Sequence, residues 1–211
     1  GYGAAILADA GAREVLAIDN APEAIAFGLE NYNRPAIRFQ TGDVMSIGLA
    51  ETDAFDLALS FETIEHLADP LPFLKSLARV SPMLVASVPN ETVFPYRNYR
   101  FHYRHYTREQ FADLLRAAGW RVVAWYGQEG VDSDLARDCE GRSLVACCER
   151  IAATAERDGS GYTATMTIDP DAFMAEMPTP ADAAPSGTDE KPVPDHVAIV
   201  GLGPTCAVFF E

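Results

Sequence analysis

Glu62, Glu65 and His66 follow one another closely in FDLALSFETIEHL, residues 55–67. Spacings of three and one bring these side chains to one face if a helical turn starts behind the apolar run. Two carboxylates beside an imidazole can take up and release a proton, or they can hold a divalent cation. Carboxylate oxygens suit magnesium, and the imidazole also admits manganese or zinc. The same residue types have plainer uses, since carboxylates cap backbone amides and an imidazole can orient a loop. Spacing alone leaves both readings standing.

The elements that must position this group can be read around it. Residues 55–60 form a nearly unbroken apolar run, as expected of a parallel strand covered on both faces. The group then sits at the strand's carboxyl end, where open α/β sheets bind their ligands. Upstream, Gly1 and Gly3 lead into a short helix closed by Gly11, and residues 15–18 read as a strand ending in Asp19. Pro22 opens a helix to about Asn31. Residues 37–40 form a further strand before Thr41-Gly42-Asp43. Downstream come a helix over residues 70–79, the buried strand MLVASVPN, and a polar and aromatic loop over residues 91–106, long enough to be functional. Thr107 caps the next helix with Gln110 three residues on. Residues 120–126 and 143–148 complete the strands, with Trp120 and Trp125 as strand and core residues.

Helix and strand alternate, which predicts a parallel sheet covered on both sides. The composition agrees: 48% of the 211 residues are hydrophobic and 22% charged. A formal net charge of −15 argues against a chain that wraps nucleic acid. The one basic cluster is local, Arg97, Arg100, Arg104 and Arg108 interleaved with tyrosines and Phe101. It suits a lid, or a grip on an anionic or sugar acceptor. Four cysteines without metal-type spacing imply reduced thiols and a cytoplasmic setting, and no apolar run is long enough to span a membrane.

Taken in order, GYG before a helix, AID with Asp19, TGDV with Asp43, FDLALSFETIEHL and MLVASVPN resemble the class I S-adenosylmethionine-dependent methyltransferases over residues 1–150. The resemblance implies that Gly1 and Gly3 line the methionine end of S-adenosylmethionine. Asp19, with Asn20 beside it, takes the ribose hydroxyls; Asp43 and Val44 take the adenine, and Ser60 and Phe61 flank the sulfonium. It further implies a strand upstream of Gly1. The expected fold is therefore an α/β, Rossmann-like, doubly wound and mostly parallel sheet lacking its first strand, and the chain alone is expected to bind the donor poorly. Residues 151–195 are expected to be an acidic, Pro- and Ala-rich linker, largely disordered. Residues 196–211, with Gly201, Gly203 and Ala207, read as the start of a second α/β domain in a multidomain parent.

The Glu62, Glu65 and His66 group is similar to the metal site of the small-RNA 2′-O-methyltransferases and the ubiquinone-pathway O-methyltransferases. In the small-RNA branch a further histidine stands five residues before a Thr-Arg pair, and His102 stands five before Thr107-Arg108. The implied set for magnesium or manganese is Glu62, Glu65, His66 and His102. Similar methyltransferases carry the group without an established metal, and His66, His102 and Glu62 are then the candidates for proton removal. His105 reads as a loop or surface residue and not as a ligand. The leading expectation is O-methylation of a small-molecule or sugar-like acceptor. The alternatives are a metal-dependent RNA 2′-O-methyltransferase and a non-catalytic binding module.

Overall fold

The structure, a computed structural model, describes residues 1–44, 55–130, 133–151 and the strand His196–Val200. The elements run α1 (Tyr2–Asp9), β1 (Glu14–Asp19), α2 (Pro22–Asn31), β2 (Ile37–Thr41), β3 (Leu57–Ser60), a 3-10 turn (Ile64–His66), α3 (Leu71–Val80), β4 (Met83–Pro89), α4 (Arg108–Ala117), β5 (Trp120–Gln128), β6 (Leu135–Arg137), β7 (Ser143–Arg150) and β8 (His196–Val200). The expected alternation is present, and each boundary has a local cause. Pro22 occupies the first turn of α2, where its missing N–H is no loss. Gly11, at φ +106°, lets the chain turn back after α1. Thr107 and Gln110 form the reciprocal capping box that starts α4.

The strands form one sheet in the order β2-β1-β8-β3-β4-β7-β5-β6. Strands β2, β1, β8, β3 and β4 are parallel, whereas β7 runs antiparallel to both β4 and β5. The sheet is thus mixed, and β6 is an added edge hairpin strand that the sequence did not announce.

Strand β8 corrects the expectation of a sheet without its central strand. It lies between β1 and β3, with Val200 level with Ile18 on one side and Ser60 on the other. A gap between two parallel apolar strands exposes two rows of unpaired backbone groups, and an extended apolar segment of matching length satisfies both at once. His196–Val200 therefore belongs to this sheet and not to a separate one. The expected linker and the glycines beyond Val200 lie outside the described residues.

Alternation along the strands divides the core. Leu57, Leu59, Met83, Val85, Val145 and Cys147 face the layer that holds Ala4, Leu7 and Ile25 of the first two helices. Ala58, Leu84, Ala86, Val88, Leu144, Ala146 and Cys148 face Phe73, Leu77, Phe111 and Leu115 on the other side. Adjacent Cys147 and Cys148 consequently point into opposite layers, as a period of two demands. Trp120 is buried with its indole N–H donating to the Leu74 carbonyl at 3.0 Å.

Candidate functional site

Two groups of polar side chains lie at the carboxyl edge of the parallel strands. The first is at the end of β1. Asp19 is 3% exposed; its Oδ1 accepts the Ala21 N–H at 2.8 Å, and its Oδ2 is buried with no hydrogen-bond partner among the described residues. A buried carboxylate oxygen without a donor is costly unless a ligand supplies one, and a ribose diol is such a ligand. The Gly42 N–H donates to the Asp19 carbonyl at 2.9 Å, which ties the β1 and β2 ends together and brings Asp43 to the same edge. Asn20 and Asp43 are exposed. Val44 is half-buried and packs against core side chains. At the end of β3, Ser60 is fully buried with its Oγ unpartnered among the described residues, and Phe61 is half-buried against the first-helix layer.

Gly1 has a packing explanation. A Cβ on Gly1 would meet Tyr32 Cδ2 at 2.5 Å and the Gly28 backbone at 3.1 Å, so close packing of α1 on α2 requires a glycine there. Around Gly3 there is open space among the described residues.

The second group is the carboxylate and imidazole set. The turn after β3 is a single 3-10 turn, and Glu62 precedes it with φ +46°, a left-handed conformation uncommon outside glycine. That twist sends the Glu62 carboxylate back over β4, where Oε1 accepts the Ser87 hydroxyl at 2.8 Å, and Ser143 adds a second hydrogen bond. Glu65 is fully buried, and neither of its oxygens has an N–H or hydroxyl donor among the described residues. The polar group it meets is the Glu62 carboxylate. Two buried carboxylates so placed each make the other's ionised form less favourable. Burial pushes Glu62 up to about 7 against the pull of its serine donors. Burial and then the Glu62 charge hold Glu65 well above the carboxylate range.

The imidazoles complete the set. His66 Nδ1 lies 3.0 Å from the Phe101 carbonyl, which fixes the proton on Nδ1. Its Nε2 is buried, lacks a partner among the described residues, and stands 3.8 Å from Glu65 Oε1. The His66 and His102 rings meet edge to face with centroids 4.5 Å apart. Glu65, His66 and His102 each offer an atom within 4.8 Å of the others, close enough to surround one cation. Glu62 is not in this trio, because its carboxylate is turned to Ser87 and Ser143; the four-ligand expectation shrinks to three. Burial, then His66 and His105, push His102 down to about 4, so it is neutral at pH 7 with a lone pair on offer.

The loop over residues 91–106 closes against this set. The Tyr103 N–H donates to the Glu65 carbonyl at 2.8 Å, and Arg104 donates to the Ala68 carbonyl at 2.6 Å. An isolated bridge joins Asn90 and Tyr106 at its base. Phe101, at φ +83°, aims its carbonyl at His66 while its ring is 70% exposed beneath the Arg100 guanidinium. Of the two placements expected for His105, loop or surface, the structure has the loop. His105 is 5% exposed, enclosed by Phe94, Tyr96 and Tyr99, because its polar atoms are satisfied within the loop.

Residues 1–81 match the family model described as a methyltransferase domain. A probable S-adenosylmethionine-dependent methyltransferase of Mycobacterium tuberculosis is 35% identical over 138 residues, covering 60% of this chain and 47% of that protein. The chain therefore spans about half the length of the curated relatives it matches. A structure described as an S-adenosylmethionine-dependent methyltransferase of Listeria monocytogenes superposes with a TM-score of 0.56 at 15% identity, over 71% of this chain and 86% of that one. A small RNA methyltransferase, HEN1, superposes with a TM-score of 0.52 at 21% identity, over 68% of this chain and 21% of that one. These structural likenesses are likenesses of fold. Residues 1–81 thus carry the sequence pattern of a methyltransferase domain, and the matched stretch is similar to probable S-adenosylmethionine-dependent methyltransferases.

Proposed function

We propose that this methyltransferase-type chain transfers a methyl group to a hydroxyl of a small or sugar-like acceptor. The observation that carries the proposal is the buried, half-partnered Asp19 at the end of β1 on the sheet edge that also holds Glu65, His66 and His102. S-adenosylmethionine, when bound, supplies a methyl group activated by a positive sulfonium. Asp19 Oδ2 accepts from the ribose hydroxyls, Asn20, Asp43 and Val44 border the nucleoside, and Ser60 and Phe61 stand at the reacting end. Gly3, with open space about it among the described residues, leaves the α1 terminus open to the donor, while Gly1 lets that terminus pack on Tyr32. His102, held neutral by burial, presents a nitrogen able to accept the acceptor's hydroxyl proton, and His66 Nε2 stands beside it. Exposed Arg97, Arg100, Phe101 and Tyr103 offer the acceptor hydrogen bonds and a ring to stack on. Much of the acceleration in an in-line displacement comes from holding donor and acceptor together.

The trio also fits a divalent cation of the magnesium or manganese kind, because among the described residues Glu65 has two oxygens without a donor and His66 has an unpartnered nitrogen. When bound, the cation would make an acceptor hydroxyl more acidic. This favours, as a second possibility, a metal-dependent RNA 2′-O-methyltransferase; the net charge of −15 counts against it.

The test is incubation of the protein with methyl-labelled S-adenosylmethionine and separate pools of hydroxylated small molecules, glycans and RNA, with manganese or with chelator. Label in a small-molecule or glycan ether supports the proposal. Label in RNA only with manganese selects the second possibility, and donor binding without transfer to any pool would leave a non-catalytic module.

A further inference from the structure

His105 lies outside the trio and its role is not given by the motif, yet it is the most enclosed of the loop's imidazoles. Its Nδ1 is 2.7 Å from the Phe94 carbonyl. A carbonyl only accepts, so Nδ1 carries the proton of the neutral ring, and Nε2 keeps a lone pair. That nitrogen is 2.9 Å from His102 Nδ1. Since His105 Nε2 must accept, His102 Nδ1 must donate. The lone pair of His102 is then confined to its Nε2.

Three features hold this relay in place. The His105, Phe94 and Tyr99 rings form a triangle with centroid separations of 5.0 to 5.3 Å. The Arg142 guanidinium lies 4.2 Å over the Phe94 ring. The Tyr96 hydroxyl donates to the His102 carbonyl at 3.0 Å, which fixes the backbone from which the second imidazole hangs. His66 reaches the same state by a separate route, through the Phe101 carbonyl. Two backbone carbonyls of one loop thus dictate the protonation pattern of both imidazoles, one directly and one through an intervening ring.

We propose that His105 is a positioning residue, which, by accepting the His102 Nδ1–H, commits His102 to the tautomer with its lone pair on Nε2. The inference rests on the reading of His102 as a proton acceptor or cation ligand, and it adds the group that readies it. A ligating or basic histidine needs its other nitrogen held by an acceptor, and loss of such a partner weakens metal affinity by about 10- to 100-fold.

The experiment uses the whole chain labelled with nitrogen-15 at histidine, with long-range proton–nitrogen spectra recorded above pH 7. Wild-type His102 is expected as the Nδ1–H tautomer, and finding it as Nε2–H overturns the proposal without any variant. His105→Phe keeps a ring in the aromatic enclosure but removes the acceptor; His102 is expected to shift toward Nε2–H. His105→Gln, whose side-chain carbonyl can accept, is expected to restore Nδ1–H. A folded His105→Phe variant with His102 still Nδ1–H overturns the relay. Manganese titration then separates the two levels. Dissociation constants raised about 10- to 100-fold by His105→Phe, and recovered by His105→Gln, support both relay and metal reading. A tautomer shift in a chain that binds no manganese supports the relay and removes the metal reading alone.

Discussion

Replacing Glu62 by Gln should change how stability depends on pH more than it changes stability itself. Glu62 rises from 4.5 in the unfolded chain to about 7 in the fold, chiefly because it is buried. Between those values the folded state holds a proton that the unfolded state has released. Wild-type stability therefore falls as pH rises through that window, and below it the two states are equally protonated. Each pKa unit corresponds to about 1.4 kcal/mol, so the rise is worth about 3 kcal/mol once pH exceeds 7. Glutamine keeps the shape and can still accept from Ser87 and Ser143, but it has no proton to lose. Loss of the Glu62 charge also relieves Glu65, which is pushed up partly by that charge, and this acts in the same direction. Urea unfolding followed by tryptophan fluorescence, with Trp120 buried as the reporter, should show Glu62→Gln gaining on wild type by about 3 kcal/mol between pH 4.5 and 7.5. A difference that stays flat, or that shrinks as pH rises, would refute the burial-raised Glu62 carboxyl.

Other perturbations follow from single contacts. Asp19→Asn removes the charged acceptor left open at the end of β1; a charged hydrogen bond of about 1.5–3 kcal/mol predicts donor affinity weaker by about 10- to 100-fold in calorimetry. His102→Ala should lower turnover by about 10²- to 10⁴-fold in the labelled-donor assay, the usual worth of a positioned proton acceptor, and undiminished turnover would remove His102 from the chemistry. Thr107→Ala breaks the capping box, in which the Gln110 N–H donates to the Thr107 hydroxyl at 3.2 Å; about 1 kcal/mol of stability should be lost in thermal melts.

Local chemistry was readable before any coordinates. Pro22 and the Thr107 to Gln110 box act on their own turns, so sequence spacing contains the whole cause. Apolar runs likewise revealed the strands of both core layers. What spacing did not reveal depends on partners distant in sequence. Glu62 leaves the metal-like trio because a left-handed residue turns it to Ser87, 25 positions away. The burial of His105 is not legible from its place in the loop, because the aromatic rings that bury it and the Phe94 carbonyl that orients it are brought together only by the loop's closure. Gly1 resembled a ligand-lining residue, yet its missing side chain is explained by Tyr32 of the neighbouring helix end. The central strand was legible as a strand, but its place between β1 and β3 is a matter of pairing across the whole chain.

The loop over residues 91–106 is fastened to the very atoms it covers: the Tyr103 amide to Glu65, the Phe101 carbonyl to His66, and the Arg104 guanidinium to Ala68. Entry of an acceptor by lifting this segment would therefore unfasten the imidazoles in the same movement, so a gaping gate and an armed centre exclude each other. Under the proposed function, reaction would be confined to the shut state, where bulk water is kept from the transferred group and product escape answers to these few fasteners.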